Sequence, residues 1–420
     1  MERYLIKYLR DCESIDNKKK IDYFKIELDR YIYKYGHSHI SSPKISISNI
    51  IYRLFQYTSA LSRLKIKDSN NILTTVYFAN ASLWETQGYN VYSSILAPVG
   101  YNNVIGDYYT VKTCIKINSY FKSGKFNLFY DWIRQGEIDN LKEYLLKQYK
   151  QYNFKGLFLH TDQLFQTKLL IDIFKELQRP SLIFSHGLPG IYSKDVDNRS
   201  DYLLVWGEKI KDNYVQAGFN PDKIKVVGNL RYNDLSMVKN LKNSLDNILV
   251  IPISSIITHQ DEWDNVRLVD RSMILLYLYQ VQYVLKKFNV KKVRYRPHPT
   301  IDAHWVHSFL DNTFYEIDNK PLKLSLSESS LVIGATSSVF IDAISNGVNY
   351  LIYEPKDSSN SSLTRGKLVS PFNGDNSQIK VATDEIQLEN LIRDHYSVNP
   401  SAVKSYIQPL DLSILRTIIK

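Results

Sequence analysis

The sequence predicts an α/β protein whose strands form parallel sheets. Short apolar runs end in turns and are followed by longer segments with apolar residues at helical spacing, for example 163–177 and 271–288. Strands that are apolar throughout, with helices between them, are typical of a parallel sheet covered on both faces. The length of 420 residues is enough for two or three domains of ordinary size.

The strands are predicted from apolar runs, which lie in chain order at 72–79, 91–100, 156–160, 181–187, 202–207, 223–228, 247–253, 291–299, 331–338 and 349–355. Residues 1 to about 70 contain few strand signals and are predicted to be helical. The helix predicted at 49–67 combines basic and aromatic side chains. We expect it to pack on the first domain, with contact to a membrane surface as the alternative.

A polar stretch without a helical stripe separates two strand patterns near 229–246. It predicts a division into an N-terminal domain, 1–232, with a helical extension, and a C-terminal domain, 233–420. The last helix, around 413–420, is a candidate to cross back to the first domain.

Composition excludes several classes of protein. A hydrophobic fraction of 44% excludes a disordered chain, and two cysteines, Cys12 and Cys114, cannot build a disulfide framework. No apolar run is long enough to span a bilayer, and the charged N-terminus does not resemble a signal peptide. We therefore expect a cytoplasmic protein. The net charge of +10 suits nucleic acid, an anionic membrane or a phosphorylated substrate, and charge alone does not choose among them.

A first candidate site follows the strand at 291–295. It reads Arg296-Pro297-His298-Pro299, and two prolines fix the backbone around the histidine. Ligands of open parallel sheets bind outside the carboxyl ends of the strands. A histidine there can donate to a phosphate or protonate a leaving oxygen, whereas an isolated His-Pro pair is more often an ordinary turn.

A second candidate site follows the strand at 331–334. Thr336, Ser337 and Ser338 stand between that strand and a helix, where hydroxyls, backbone N–H groups and the positive helix end converge on one point. Simple N-capping would explain the same residues. Ser254, after the strand at 247–253, is predicted to contribute to the same phosphate-binding edge, and Asp342 is predicted to be structural.

Two further histidines follow strands of the first domain. His160 and Asp162 end the strand at 156–160, and His186 precedes Gly187 after the strand at 181–184. Gly187 permits close approach of the backbone to a ligand. Consecutive strands that present histidine at the same end predict the floor of a binding cleft.

The order of these motifs resembles GT-B glycosyltransferases of bacterial surface polysaccharide synthesis. The resemblance rests on His186-Gly187 with Pro189, the segment 201–234, Arg296 to Pro299, and Thr336 to Ser338 with Asp342, and it covers about 155–355. The most similar patterns are those of teichoic-acid-type CDP-glycerol glycerophosphotransferases and of bacterial sialyltransferases and polysialyltransferases. It implies the GT-B fold, in which two facing Rossmann-like domains enclose a cleft.

The resemblance also implies roles for individual residues. His298 would contact the donor phosphate and act as the acid for the leaving nucleotide, with Arg296, Ser337 and Ser338 holding that phosphate. The acidic-acidic-Gly motif of the sialyltransferases is absent from this sequence. The catalytic base is therefore left open among His160, Asp162 and His186.

We expect a transferase that moves an acidic sugar, such as a nonulosonic acid or Kdo, from a CMP-sugar donor to a bacterial surface polysaccharide or lipid-linked glycan. The protein itself is a candidate for peripheral association with the inner face of the cell membrane. The alternatives are a CDP-polyol phosphotransferase and a non-catalytic assembly protein of the same fold. We expect no cofactor, no metal ion and no nucleic-acid partner. Asp195-Val196-Asp197 and His304-x-x-His307 have metal-ligand spacing but lie in contexts that do not favour a metal.

Overall fold

The structure, a computed structural model, describes residues 14–24, 47–61, 66, 70–76, 85, 87–97, 103–123, 126–185, 187–188, 192, 197–229, 232, 240–252, 259–260, 266–267, 272–298, 303–356 and 368–419. Contacts between residues divide the chain into two compact units. The first contains Met1–Ser185, Val196–Leu204 and Ser413–Lys420, and the second contains His186–Asp195 and Val205–Leu412.

The strands of the described residues are β1 (Asn71–Thr74), β2 (Asn90–Ser94), β3 (Val104–Ile105), β4 (Phe154–Leu159), β5 (Ser181–Phe184), β6 (Tyr202–Val205), β7 (Ile224–Val226), β8 (Ile248–Ile251), β9 (His259–Gln260), β10 (Val266–Arg267), β11 (Val293–Tyr295), β12 (Tyr315–Ile317), β13 (Leu331–Gly334), β14 (Asn349–Tyr353) and β15 (Val381–Ala382). Each of the ten predicted strands is confirmed, and the additional ones are two or three residues long.

The helices of the same residues are α1 (Ile15–Tyr23), α2 (Ile47–Leu61), α3 (Tyr108–Ser123), α4 (Phe126–Arg134), α5 (Glu137–Gln151), α6 (Phe165–Glu176), α7 (Glu208–Gln216), α8 (Ser272–Lys287), α9 (Ala303–His307), α10 (Leu322–Ser327), α11 (Val339–Ser345), α12 (Glu385–Arg393), α13 (Pro400–Val403) and α14 (Leu415–Ile418). Within the described ranges, none of these helices has the length and apolar composition needed to cross a membrane.

The first sheet has the strand order β3-β2-β1-β4-β5-β6-β7, and the strands up to Leu204 belong to the first unit. The pairs from β3 through β6 are all parallel. The order β3-β2-β1-β4-β5-β6 is the one found in dinucleotide-binding Rossmann folds. Its strands are almost entirely buried because helices such as α6 supply an apolar face to cover them.

The second unit repeats this topology. Its main sheet has the order β12-β11-β8-β13-β14-β15 with parallel pairing throughout. The strands β9 and β10 form a separate antiparallel pair. When the six strands of the main sheet are numbered in chain order, their order in the sheet is again 3-2-1-4-5-6. The predicted fold class, two parallel-sheet α/β domains of Rossmann type, is therefore confirmed. How the two domains face each other stays a prediction.

Tyrosine side chains fill much of the core of the second unit. Tyr277, Tyr295, Tyr315 and Tyr353 are all buried in one cluster with aliphatic side chains of β8, β13 and α8. The hydroxyl of Tyr315 donates to Leu278 O at 2.6 Å. The buried hydroxyls of Tyr277, Tyr295 and Tyr353 have no hydrogen-bond partner among the described residues. Burial raises the pKa of each of these four tyrosines.

The contact-based division differs from a single boundary at 232. Residues 205–229 group with the second unit: Val227 N donates to Val205 O at 2.9 Å, and Gln408 N donates to Trp206 O at 2.8 Å. The C-terminal segment Ser413–Lys420 groups with the first unit, where a side-chain carbon of Ile419 lies 3.8 Å from the position of a methyl group on Gly156. The division depends on contacts between segments far apart in sequence, which local polarity near 229–246 does not reveal.

Candidate functional site

The strand order of the second sheet reverses between β8 and β13. In open parallel sheets, ligands bind at the carboxyl ends of the strands at such a reversal, because the connecting segments diverge and leave a crevice. The register pairs Ile333 with Val250 and Gly334 with Ile251, so both strands end at the same level. The turn 335–338 after β13 therefore lies at the position where this fold binds ligands.

The turn 335–338 is held in place from both sides. Ala335 N donates to Ile251 O at 3.2 Å, and Thr336 N donates to a carboxylate oxygen of Glu354. Thr336 is buried, and its hydroxyl has no hydrogen-bond partner among the described residues. Ser337 Oγ accepts from Val339 N at 3.2 Å and so caps the start of α11. Ser338 is half-buried at the same helix start.

Two of the predicted phosphate-binding residues meet at this turn. A methyl group built on Gly187 would lie 3.9 Å from both Cβ and Oγ of Ser338, although about 150 positions separate them along the chain. Both residues belong to the second unit. A glycine at this position allows the backbone to lie close to Ser338.

Asp342 takes the structural role predicted for it. Its buried carboxylate accepts a hydrogen bond from Tyr232 OH at 3.0 Å, and Tyr232 lies in the segment Arg231 to Asp234 that contributes to the resemblance. The contact fixes α11 against that segment. It therefore stabilises the turn without requiring ligand contact.

Glu354 was not predicted from the sequence. It directly follows β14, is fully buried, and its carboxylate accepts the Thr336 amide. A charged residue immediately after the apolar run 350–353 is the signal that could have identified it. Because it is buried and bonded to the Thr336 amide, we infer that Glu354 anchors the turn.

The segment Arg296 to His298 leaves β11 beside a buried carboxylate, Asp318, which follows β12. Asp318 accepts from Arg294 Nη1 at 2.9 Å and from Arg296 Nη1 at 3.2 Å, and its side chain is fully buried. Ser325 Oγ and Lys320 N complete its hydrogen bonds at 2.7 and 3.1 Å. This carboxylate was also missed by sequence reasoning, because the strand before it has three residues.

The network shows what Arg296 does in this structure. Besides Asp318, its Nη1 contacts Lys320 O at 2.6 Å and Ser325 Oγ at 3.2 Å. These contacts hold the guanidinium against the segment that follows β12. Contact between Arg296 and a ligand phosphate stays a prediction. His298, two residues further on, is exposed at the carboxyl edge of the sheet.

The first sheet reverses its order between β1 and β4, and His160 lies there. Its Nδ1 is 3.2 Å from the hydroxyl of Thr75, which follows β1, and Thr75 N donates to Phe158 O at 2.8 Å. Thr75 was missed because the apolar run 72–79 concealed the end of the strand at Thr74. His160 therefore occupies the ligand position of its own sheet.

Asp162 differs from His160 in its surroundings. The carboxylate is fully buried and accepts the backbone amides of Asp197 at 3.0 Å and Arg199 at 2.8 Å, as well as the side chain of Gln163. Both oxygens hold the loop around 197–199. This arrangement favours a positioning role over that of a catalytic base.

Several predicted residues lie outside the described part of the chain: His186, Ser254, Asp195 and Pro299. Their predicted roles therefore stay predictions. Within the described residues, no group of three or more His, Cys, Asp or Glu side chains is arranged to hold a metal ion.

Comparisons with known proteins match this chain only to solved structures. No protein-family model matches the sequence, and no curated protein matches it. S. aureus MnaA with UDP has 12% identity and a TM-score of 0.48, and the match covers 84% of this chain and 98% of that one. The UDP-GlcNAc 2-epimerase of Neisseria meningitidis bound to UDP-GlcNAc has 12% identity and a TM-score of 0.45, with coverage of 81% and 94%.

A third match is Anabaena HepE in complex with UDP and glucose. It has 10% identity and a TM-score of 0.43, and the match covers 81% of this chain and 96% of that one. At these identities the likeness concerns the fold alone.

The comparisons correct the predicted function. The nucleotides named with the matched structures are UDP and UDP-GlcNAc. The predicted transfer of an acidic sugar from a CMP donor is therefore wrong, and so is a CMP-sugar as partner. With no matching family model, the resemblance to sialyltransferases and glycerophosphotransferases stays a prediction.

Proposed function

We propose that this protein is an enzyme that binds a sugar nucleotide, with the phosphates at the turn 335–338. The observation that supports the proposal is the closeness of Gly187 to Ser338, such that a methyl group on Gly187 would lie 3.9 Å from Ser338 Oγ, beside the point where the strand order of the second sheet reverses. A hydroxyl, backbone amides and a glycine then lie close together. That combination suits a phosphate oxygen, which accepts several hydrogen bonds at once.

The surroundings support binding of a rigid anion. Glu354 and Ile251 fix the turn from two neighbouring strands, so the amides do not have to be ordered when a ligand binds. Backbone amides that are already in position stabilise the charge on a leaving phosphate without a further cost in reorganisation of the protein. His298 is exposed after β11, which is separated from β13 by β8, and it would donate a hydrogen bond or a proton to that leaving group.

UDP-sugars are the first ligands to test, because the matched structures name UDP and UDP-GlcNAc. Calorimetry with UDP, UDP-GlcNAc and UDP-glucose, and with CMP and CDP for comparison, measures which nucleotide binds. We expect UDP-containing ligands to bind most tightly. If none of the five binds, the proposal is wrong.

Two substitutions test the position of the phosphates. Ser338→Ala removes one hydroxyl and should weaken binding by about fivefold to tenfold, the worth of one hydrogen bond. Gly187→Ala places a methyl group 3.9 Å from Ser338 Oγ and should weaken binding further. Neither should lower the melting temperature, since that methyl group meets Ser338 at an ordinary contact distance.

Ser345→Ala is the matched control, because it removes a hydroxyl from the other end of the same helix, α11. Its binding affinity should equal that of the parent protein. Two assays then test for catalysis on a bound UDP-sugar. Release of UDP, with and without a glycan acceptor, detects transfer or hydrolysis, and NMR of the sugar detects a change of configuration. Equal affinities for all three variants and the parent protein would place the phosphates elsewhere.

A further inference from the structure

Helix α2 carries an apolar face that is open to solvent. Ile51, Leu54, Phe55 and Leu61 are between 46% and 58% exposed. Their spacing of three, four, seven and ten residues places them along one side of the helix. Large apolar side chains grouped in this way are rare on surfaces that face only water.

The opposite side of α2 holds the helix on the first unit. Ala60 is buried in a cluster with Ile95, Val104 and Val111, and Gln56 is also buried. The helix is therefore packed through one side, which fixes the direction in which the apolar face points.

The hydroxyl of Thr58, which lies within this apolar face, forms its hydrogen bonds with the helix itself. Thr58 lies between Phe55 and Leu61, and its hydroxyl donates to the carbonyl oxygens of Leu54 at 3.1 Å and Phe55 at 3.0 Å. A hydroxyl bonded to its own helix can enter an apolar medium at low cost, because it leaves no unpaired donor. The face therefore suits hydrocarbon as well as water.

The chain around α2 is strongly basic. From Arg30 to Lys67 it contains seven Lys and Arg residues and no Asp or Glu. Lys44 stands three residues before the helix, and Arg63 stands two residues after it.

We propose that α2 docks the protein onto an anionic lipid bilayer, with its apolar face at the level of the acyl chains. An apolar helical face next to cations is the combination that binds at such interfaces, since the two contributions add. A second copy of the chain does not fit equally well, because two such basic segments would be brought together and repel each other. The inference does not depend on the proposed nucleotide site.

The test is co-flotation of the full chain with vesicles at low and high salt. Vesicles of phosphatidylglycerol and phosphatidylethanolamine should bind the protein at least about tenfold more tightly than phosphatidylcholine vesicles, because each cation at the surface contributes about fivefold. Binding should weaken between about 0.05 and 0.5 M NaCl as the charges are screened. No binding to anionic vesicles, or equal binding to both kinds, overturns the proposal.

The double substitution Leu54→Gln with Phe55→Gln identifies the surface. Glutamine keeps the helix and removes the apolar side chains, so vesicle binding should fall by roughly tenfold or more with an unchanged melting temperature. Ile386→Gln, at an exposed position of α12 in the second unit, is the matched control and should bind like the parent protein. Light scattering detects self-association. A dimer that the double substitution dissociates, with no vesicle binding by the parent protein, would assign the face to a second copy instead.

Discussion

Removal of the Asp318 carboxylate should be among the most destabilising single changes in the second unit. Asp318 is fully buried and is the common acceptor of Arg294 and Arg296. Asp318→Ala would leave two guanidinium groups beside an apolar gap. Lys320 N would lose its acceptor, and Ser325 Oγ would keep only the longer bond to Pro321 O at 3.4 Å. Breaking a buried ion pair from one side typically costs about 3 to 5 kcal/mol.

The structure places the expected cost at the lower end of that range. Arg294 keeps Glu328 at 3.3 Å and Ser329 Oγ at 2.7 Å, and Arg296 keeps Lys320 O at 2.6 Å. Neither guanidinium is therefore left without acceptors. We expect the free energy of unfolding to fall by about 3 kcal/mol, a large part of the ordinary stability of a domain.

Urea denaturation followed by circular dichroism measures this loss. Glu316→Ala is a suitable control, because Glu316 belongs to β12, two residues before Asp318, and pairs with Lys292 at the exposed surface. A surface pair contributes less than about 1 kcal/mol. Asp318→Ala should also weaken nucleotide binding, since Arg296 leads directly to His298. If Asp318→Ala unfolds at the same urea concentration as Glu316→Ala, the buried network does not contribute the stability expected of it.

Three further predictions concern the core of the second unit. Tyr353→Phe should raise the free energy of unfolding by up to about 1 kcal/mol, because it removes a buried hydroxyl that has no partner among the described residues, whereas Tyr315→Phe should lower it by about 1 kcal/mol through loss of the bond to Leu278 O. A result in which both changes have the same sign would contradict this. Gly334→Ala should cost roughly 2 kcal/mol or more, since its methyl group would overlap the hydroxyl of Tyr350; an unchanged melting temperature would refute the close contact. Burial raises the pKa of Tyr315 and Tyr353 above the value of about 10 in the unfolded chain, so the unfolded state loses these protons first as pH rises. The free energy of unfolding should therefore fall above about pH 10, and urea denaturation at about pH 9 and pH 11 would detect the change.

Sequence reasoning located the strands well, because a strand buried on both faces needs an unbroken apolar run. It missed β3, β12 and β15, where two or three residues at or near the edge of a sheet leave no pattern long enough to detect. The order of the strands also lay beyond the sequence, since it depends on pairing between distant segments. The two reversal points of the sheets became visible only with that order.

At the candidate site, too, residues that follow from local sequence were predicted, whereas residues that depend on contacts between distant segments were not. The turn 335–338 was predicted because hydroxyl residues directly follow a strong strand. Glu354 and Asp318 were not, because their importance comes from what they touch across neighbouring strands. The identity of the nucleotide was inferred from resemblance and not from a base contact, and that inference proved wrong.

The path of the chain between the two units limits how the protein can be divided for experiments. The backbone passes from one unit to the other at 185–186, 195–196, 204–205 and 412–413. A fragment cut at one point would therefore lack part of one unit, and removal of the segment Ser413–Lys420 would strip α14 from the first unit rather than shorten the second. An exchange of nucleotide specificity with another protein would have to graft 186–412 while retaining the native segment 196–204 and the native C-terminus. A tag at the C-terminus would likewise be attached to the first unit.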